Sequence, residues 1–506
     1  MGQTDHLALA LKSSMRPSRR KLLGGLSAGL LASASGSLLA ATRVMAEGAG
    51  APGRMTEAQR LAQFAADIAF DKLPASTVAA VKRLVLDTLG CALGAIDGEP
   101  AKIAEAIAPS IAPGERGATI IGSGRRTTAS GAAFVNGTQV RFLDFLDVYF
   151  TKDVCHPSEN IPPAMACVEE VGGSGRNLIE AIVVGYEAEA RLCDVIAFPA
   201  INMHPASAAG FVVPLVAGKA WRQSAAVMAH GCVLGGARHM TLNSLLAGDL
   251  SMAKALAYSL SGAEAITAAR LAGKGYTGPL ASLEWVFEKV AKAQPGSITL
   301  PLELSDWRCE RASLKRYPIQ YALQAPVEAA IELHAKLKGR MDQITGIVAT
   351  MRPAQLSNIA DPSKFRPANR ETADHSLPAC VAMALADGKL TDQQFEHGRF
   401  RDVDIVALLG KTKAVGSEDL NQRFPKGRPA VIEVELADGT RHRAEVEVPL
   451  GDATRPFDDK AVAEKFLELA EPAIGSSGAR MATDVVERLD TLATIEPLIQ
   501  VLRRSS

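Results

Sequence analysis

The chain has 506 residues, of which 47% are hydrophobic and 5% aromatic, and 55 basic residues balance 55 acidic ones. This composition is typical of two soluble globular domains and excludes a disordered chain, a collagen or a coiled coil. A formal net charge of zero at pH 7, without a basic stripe or a zinc-finger spacing, argues against nucleic acid as a partner.

The first 46 residues have the pattern of an export signal. Arg19 and Arg20 precede a weakly apolar run rich in Gly, Ala and Leu, and small residues flank a cleavage point near Ala46. This pattern predicts a twin-arginine signal peptide, a mature, mildly acidic chain that starts near Glu47, and a location in the periplasm. The alternative is a basic arm leading into an amphipathic or membrane-anchoring helix.

Residues 56–310 have a helical pattern, with apolar residues at steps of three and four. Most of these helices are apolar nearly all round, which favours an all-α core in which each helix has many neighbours. The uncharged stretch Val195–Gly218 contains three prolines, so we expect buried loop and helix there rather than a membrane span.

Residues 311–452 predict a smaller α+β domain. Ile344–Met351 and Val403–Leu408 are rich in β-branched residues, and two alternating stretches flank Asp438-Gly439, a hairpin signal. A helical pattern returns over 453–506, which we expect to rejoin the helical domain. The predicted fold is therefore mainly α: a large all-helical domain with an inserted smaller α+β lid.

The seven cysteines include no CxxC or other close pair. This spacing does not indicate a zinc or iron–sulfur site, and no metal is predicted. We expect buried, reduced thiols, although an exported protein permits disulfides.

Two histidines precede prolines, in Cys155-His156-Pro157-Ser158 and Met203-His204-Pro205-Ala206. Proline disfavours the α conformation for the residue before it and suits a first helical turn, so each imidazole should lie at a helix entrance. Such a place favours neutral imidazole and binds anions. The alternative is that each histidine only caps its helix.

Charged residues in apolar surroundings are further candidates. Asp144 and Asp147 lie in an otherwise apolar segment, where one of them is a candidate to orient a histidine, unless Arg141 or backbone amides satisfy it. Lys254 lies amid uncharged helix, and Lys315-Arg316 stands where the α+β domain begins. Lysines at such junctions can meet a carboxylate substrate between domains, although most lysines are simply solvated.

The chain has no GxGxxG in a β-α-β setting, no P-loop and no GxSxG elbow. These absences favour acid–base chemistry.

Several short motifs together resemble the MmgE/PrpD family, in the right order between about Thr56 and Leu450. They are Asn136-Gly137, Leu143-Asp144-Phe145, His156-Pro157-Ser158 with Pro163-Ala164, Gly185-Tyr186-Glu187 with Arg191-Leu192, Gly275–Pro279, Lys315–Pro318 and Ala373–Pro378. The resemblance implies a helical domain with an α+β lid, a homodimer, and a lyase or isomerase that handles di- or tricarboxylates without metal or organic cofactor.

The resemblance also implies site residues. Active-site positions of the family fall on Asp144, His156, His204, Lys254 and Lys315. An imidazole at position 156 or 204 would serve as base or acid, with the aspartate fixing its tautomer and the lysines stabilising the developing charge. The residues predicted to bind substrate are Lys315, Arg316, Gln320 and Ser158.

Some positions depart from the family pattern: Arg141, Leu146, Val148, Gln320 and Ala379. They suggest an altered substrate-facing loop and argue against cis-aconitate decarboxylation. The sequence thus predicts a lyase of the 2-methylcitrate dehydratase type. The alternatives are an epimerase or racemase on the same fold and a non-catalytic periplasmic carboxylate-binding protein.

Overall fold

The structure, a computed structural model, describes residues 54–504 apart from 151, 153, 294–298 and 338. The predicted signal peptide lies outside the described residues. Besides a small apolar cluster around Ala104 and Phe134, two large apolar cores organise the rest. One combines buried residues between Ala58 and Leu314 with others between Phe457 and Leu502, and we call these segments the helical part. The other core lies between Tyr317 and Val446, the sheet part.

Amphipathic and fully apolar helices build the helical part. Their bounds are Glu57–Asp67, Ala75–Gly94, Glu99–Ile107, Ala129–Phe142, Ile161–Glu170, Gly175–Val195, Ala209–Ala220, Ala225–Gly236, Ala257–Gly273, Ser282–Trp285, Asp459–Glu487 and Glu496–Val501. Every residue of Ala209–Ala220 is buried, as the all-round apolar pattern predicts. Helix Asp459–Glu487 kinks at Gly475, where φ is 71°.

Four strands form the sheet of the sheet part. Counted after two short strand pairs, Ala118–Thr119 with Arg126–Thr127 (β1, β2) and Tyr149–Phe150 with Val154–Cys155 (β3, β4), they are Ile344–Met351 (β5), Thr412–Gly416 (β6), Ala430–Leu436 (β7) and Arg441–Val446 (β8). Their order is β6-β5-β7-β8, with β5 parallel to β6 and antiparallel to β7. The predicted hairpin joins β7 to β8, and its Gly439 has φ 82°.

Helices cover this sheet and complete its core. They are Gln324–Leu337, Pro353–Ile359, Arg370–Ala373, Leu377–Asp387, Asp392–Glu396, Val403–Leu409 and Glu418–Gln422. The β-branched stretch that predicted a strand at Val403 is one of them, so that prediction is wrong. Ile405, Leu408 and Leu409 are buried while Val403 is 87% exposed, and this spacing of three and four is helical.

The sheet part leaves and rejoins the helical part at one place. The Leu314 amide donates to the carbonyl oxygen of Gly451 at 2.8 Å, and the Ala453 amide donates to Ser313 Oγ at 2.9 Å. The two connecting segments therefore run side by side.

Two further predictions concern the described residues only. All seven cysteines are buried there and none forms a disulfide, as expected for core thiols. Among these residues no helix is both long and apolar enough to span a bilayer, and Val195–Gly218 forms short helical turns followed by most of the buried helix Ala209–Ala220.

Candidate active site

Asp144 lies in a strained turn at the end of helix Ala129–Phe142. Its φ is 50°, in the left-handed region, and its amide donates to the carbonyl oxygen of Arg141 at 3.2 Å. A residue with a side chain pays about 1–2 kcal/mol for this conformation. The surrounding contacts must hold it there, and strain of this kind is typical of functional sites.

Lys315 is the principal partner of this aspartate. A two-way backbone pairing between Val148 and Ser313, at 2.7 and 2.8 Å, fixes the segment that carries the lysine. Lys315 Nζ then donates to both the carbonyl oxygen and Oδ1 of Asp144, each at 2.7 Å. The lysine thus holds the backbone and the carboxylate of the turn together.

Two more cations face the same carboxylate. Arg141 Nη1 donates to Asp144 Oδ1 at 2.6 Å, and Lys254 Nζ lies 3.6 Å from Oδ2. Lys254 is 1% exposed and lies in a 3₁₀ turn, Met252–Leu256, rather than within the helix that follows.

The sheet part fixes the segment before this lysine. Leu250 donates its amide to Thr372 Oγ1 at 3.1 Å and accepts from Asn369 Nδ2 at 2.7 Å. The position of Lys254 therefore depends on both parts of the protein.

Asp374 and His375 complete the cluster from the sheet part. Both Asp374 oxygens accept from Lys254 Nζ, at 2.7 and 3.0 Å, and Oδ1 lies 2.5 Å from His375 Nδ1. His375 Nε2 is 3.5 Å from Asp144 Oδ2. Asp374 and His375 belong to the Ala373–Pro378 motif, but their role could not be predicted, because nothing in the sequence shows that residue 374 meets residue 254.

The charges of the cluster set its titration. Burial alone disfavours a charged Asp144, but Lys315, Arg141 and Lys254 outweigh burial and hold the pKa of this carboxyl well below its usual range. Burial lowers the pKa of Lys315 to about 8, and the Asp144 carboxylate opposes the shift. At pH 7 the site therefore holds an ionised Asp144 beside a protonated Lys315.

His156 lies at the entrance of the 3₁₀ turn Pro157–Asn160, as its His-Pro motif predicts. Its Nδ1 lies 2.6 Å from the carbonyl oxygen of Asp147. Because a carbonyl oxygen only accepts, Nδ1 carries the proton and Nε2 has a free lone pair. Burial, followed by the charges of Arg141 and Lys315, lowers the pKa of His156 well below its usual value, so the ring is neutral.

His204 has the opposite tautomer. It precedes the 3₁₀ turn Pro205–Ala208, and its Nδ1 accepts from the Ala206 amide at 3.0 Å. His204 therefore caps this turn, which was the alternative role for the residue. In the neutral ring Nε2 must carry the proton, and burial, reinforced by Arg141, lowers the pKa of His204 to about 3. It is therefore a neutral hydrogen-bond donor.

Asp147 acts on His156 through its backbone. Its carboxylate accepts instead from Tyr186 Oη at 2.9 Å and from the Ser158 amide at 3.2 Å. Burial raises the pKa of the Asp147 carboxyl to about 6 against these hydrogen bonds. The expectation that an aspartate carboxylate, that of Asp144 in particular, fixes the tautomer of His156 is therefore corrected.

Arg141 and Glu159 also belong to the buried surroundings, and no sequence motif predicted Glu159. The Arg141 Nε lies 3.8 Å from Glu159 Oε1, and both residues are buried. Burial raises the pKa of Glu159 to about 8, with Arg141 opposing. This glutamate is therefore mostly protonated at pH 7, and the ionised partner of the arginine is Asp144.

Other predicted substrate contacts lie outside the cluster or are occupied by the fold. Arg316 is exposed and stacks near the ring of Tyr317. Gln320 uses its Oε1 to cap the following turn, accepting from the Ala322 amide at 2.6 Å. Its backbone amide, however, donates to the carbonyl oxygen of Asp374 at 3.0 Å, so it borders the site.

Two departures from the family pattern are core residues. Leu146 and Val148 are both fully buried, and Leu146 belongs to the core of the helical part. Burial alone does not separate them from the site, because Asp144, Lys254 and Lys315 are buried as well. The altered substrate-facing loop stays a prediction.

Among the described residues, Asp144, Asp374 and His375 have the spacing of a metal-binding group. The ammonium groups of Lys315 and Lys254 already lie 2.7 Å from the two carboxylates. A divalent cation placed among these oxygens would face two fixed positive charges, so this set does not fit a metal.

Comparison with known proteins agrees with this architecture. The MmgE/PrpD N-terminal domain matches residues 59–293, and the MmgE/PrpD C-terminal domain matches residues 317–491. A 2-methylcitrate dehydratase of Cupriavidus necator is 27% identical over 76% of this chain and 84% of its own length. A cis-aconitate decarboxylase of Aspergillus terreus is 23% identical over 87% of this chain and 95% of its own. A probable 2-methylcitrate dehydratase of Saccharomyces cerevisiae is 25% identical over 73% of this chain and 77% of its own. With both domains matched in order, the chain belongs to the MmgE/PrpD family.

Proposed function

We propose that this protein is a lyase that removes the proton next to a carboxylate of a di- or tricarboxylate and eliminates water, in the manner that the names of its dehydratase relatives suggest. The observation that carries the proposal is the pair of fixed, opposite tautomers of His156 and His204, two rings that both experience the charge of the buried Arg141. One ring offers a lone pair and the other offers a proton.

The cations supply the substrate site in this proposal. Arg141, Lys254 and Lys315 carry three positive charges against the two carboxylates of Asp144 and Asp374. The excess positive charge, held in a buried place, attracts a substrate carboxylate and stabilises the enediolate that forms when the α-proton leaves. Lysine and arginine charges then do what a metal ion does elsewhere, and the reaction needs no cofactor.

The histidines move and hold the protons. Nε2 of His156 accepts the α-proton, the C–H electron pair forms the carbon–carbon double bond, and the C–O bond to the leaving hydroxyl breaks. The Nε2–H of His204 donates a hydrogen bond to the oxygen on which negative charge develops. Because both rings are neutral at pH 7, neither has to lose or gain a proton before the reaction begins.

The test is solvent deuterium incorporation, followed by NMR on citrate, methylcitrate, aconitate, malate and aspartate-derived acids with the mature protein. His156→Asn keeps a donor for the carbonyl of Asp147 but has no base, and it should abolish exchange and elimination. His334→Asn is the matched control, because the Nδ1 of His334 likewise lies 2.7 Å from a backbone carbonyl, that of Leu385, outside this cluster.

The outcomes separate the candidate functions. Exchange with water release establishes a dehydratase, whereas exchange with inversion and no loss of water establishes an epimerase. Saturable binding of an acid without any exchange would replace the proposal by a non-catalytic binding protein. An unchanged exchange rate in His156→Asn would refute the assigned base.

We further propose that the protein is exported by the twin-arginine route and acts in the periplasm as a homodimer. The support for export is the pair Arg19-Arg20 and the run that follows it. Arg19→Lys/Arg20→Lys should leave the precursor in the cytoplasmic fraction, and light scattering on the mature protein should give twice the chain mass.

A further inference from the structure

The pair Asp374–His375 is a third imidazole site in the cluster, with a different chemistry from the other two. The ring is 7% exposed and its Nδ1 lies 2.5 Å from Asp374 Oδ1. Of the three clustered imidazoles, only this one is hydrogen-bonded to a carboxylate. His156 bonds to a backbone carbonyl and His204 accepts from a backbone amide.

A carboxylate behind Nδ1 allows the ring to carry a positive charge. The imidazolium of His375 would bond directly to Asp374, so protonation at Nε2 creates an ion pair at short range. His204 has no such partner on its Nδ1, and a neutral imidazole is a very weak acid. Burial and then the charge of Lys254 lower the pKa of His375, whereas the carboxylates of Asp374 and Asp144 favour the protonated ring. An incoming substrate carboxylate adds negative charge and favours it further, so His375 is the imidazole in the cluster best built to give a proton away.

The other ring nitrogen is directed at the place where the charges converge. His375 Nε2 lies 3.5 Å from Asp144 Oδ2, and Lys254 Nζ lies 3.6 Å from the same oxygen. Among the described residues this Oδ2 atom is buried without a hydrogen-bond partner. A substrate oxygen bound by Lys254 would therefore lie within reach of His375 Nε2.

The two imidazoles also come from different parts of the fold. His156 follows the turn after helix Ala129–Phe142 in the helical part, whereas His375 lies between helices Arg370–Ala373 and Leu377–Asp387 in the sheet part. Ser376 fixes the backbone beside it, accepting from the Ala379 amide at 3.0 Å and donating to the carbonyl oxygen of Lys364. A substrate held between the parts would have one imidazole from each.

We propose that His375, oriented by Asp374, is the second proton-transfer residue of this site and protonates the hydroxyl group that leaves. The inference rests on the proposed function. After His156 has taken the α-proton and the enediolate has formed, the electron pair of the enediolate forms the carbon–carbon double bond and the C–O bond breaks. The departing oxygen takes the Nε2 proton of His375, so that water is released. His156 ends as the imidazolium and His375 as the neutral ring, and exchange with solvent restores both.

The tests use two variants of opposite geometry. His375→Asn keeps a donor for Asp374 near the place of Nδ1 but has no group that can give a proton at Nε2, whereas His375→Gln places its amide near Nε2. We expect both to keep α-proton exchange within about threefold of the wild type and to lose elimination by about 10²–10⁴-fold. His156→Asn should lose both activities, and His334→Asn neither.

The comparison distinguishes failure of this inference from failure of the proposed function. Elimination at the wild-type rate in His375→Asn overturns the role of His375 and leaves the lyase intact. No exchange by the wild-type protein with any acid overturns both. If the wild type epimerises, the same role predicts that His375→Asn exchanges the substrate proton without inverting the carbon, and inversion at the wild-type rate would overturn it.

An NMR measurement on the wild-type protein tests the Asp374–His375 pair without turnover, so the test does not depend on whether the His375 variants fold. In ¹⁵N-labelled protein the Nδ1 proton of His375 should resonate far downfield, because of its short bond to a carboxylate, and Asp374→Asn should abolish this signal. The Nδ1 proton of His334 should be unchanged. If the wild type shows no downfield proton that depends on both Asp374 and His375, the dyad does not exist and the inference fails.

Discussion

The ion pair between Asp144 and Lys315 should be a main contributor to the stability of the cluster, and Asp144→Asn tests this directly. Asparagine fits the left-handed backbone and keeps an oxygen for the lysine, so the substitution removes chiefly the charge. Lys315 at 2.7 Å and Arg141 at 2.6 Å would then lose their shared counterion. Removing one partner of a buried ion pair costs about 3–5 kcal/mol, and we expect about 3 kcal/mol because the hydrogen bond survives.

The assay is urea unfolding at pH 7, followed by tryptophan fluorescence, in a double-mutant cycle with Lys315→Met. The double variant has no unpaired member of this ion pair, so its loss of unfolding free energy should be smaller than the sum of the single losses by about 1–3 kcal/mol. Glu332→Gln is the control, since the Lys336–Glu332 pair is 46% and 51% exposed and should matter by less than about 0.5 kcal/mol. Additive losses, or an Asp144→Asn protein as stable as the wild type, would refute the reasoning.

Three further predictions concern turnover and packing. Lys315 has a pKa of about 8 and His156 is neutral near pH 7. The kcat/KM for α-proton exchange, a step that does not need His375, should therefore stay level from pH 6 to 7.5 and fall above pH 8, where the lysine loses its charge. A value that drops as the pH is lowered past 6.5 would contradict the neutral base. His204→Asn should keep the turn cap and the melting temperature but lower kcat about 10²–10³-fold. His204→Ala should lower kcat as well and also lose about 1 kcal/mol of unfolding free energy. Full turnover in His204→Asn would show that His204 only caps the turn. Gly185→Ala would place a Cβ 2.5 Å from Asn160 Cβ. This overlap should lower the free energy of unfolding by about 1–3 kcal/mol, measured by denaturation. Unchanged stability would show that the backbone at Gly185 can move away from Asn160.

The sequence predicted the elements whose signals are local. The positions of His156 and His204 at turn entrances follow from the proline after each, and the β7–β8 hairpin follows from Asp438-Gly439. The strand expected at Val403 failed because β-branched residues also occur on exposed helix faces, and only burial at steps of three and four distinguishes the two.

The contacts within the site are long-range, and the sequence could not supply them. Lys254 meets Asp374 across 120 residues, and Lys315 meets Asp144 across 171. The use of a backbone carbonyl at Asp147 to orient His156 also has no signal in residue identities, because every residue has that group. What the sequence did provide was the residue types, since lysines and aspartates in apolar segments need partners.

Because the two connecting segments at Leu314 and Gly451 run side by side, the sheet part is an insertion in the helical part, and this affects the order in which the two parts fold during synthesis. Helix Asp459–Glu487 packs on helix Ala75–Gly94, where Lys465 Nζ lies 2.6 Å from Asp87 Oδ1 and donates to the carbonyl oxygen of Phe145 at 2.8 Å. A ribosome completes this helix only after the whole sheet part has emerged. The contiguous sheet part can therefore fold during synthesis, whereas the earlier helices can complete their packing only when the last fifty or so residues have been made. A stop codon before Lys465 would leave the buried Asp87 without its cation.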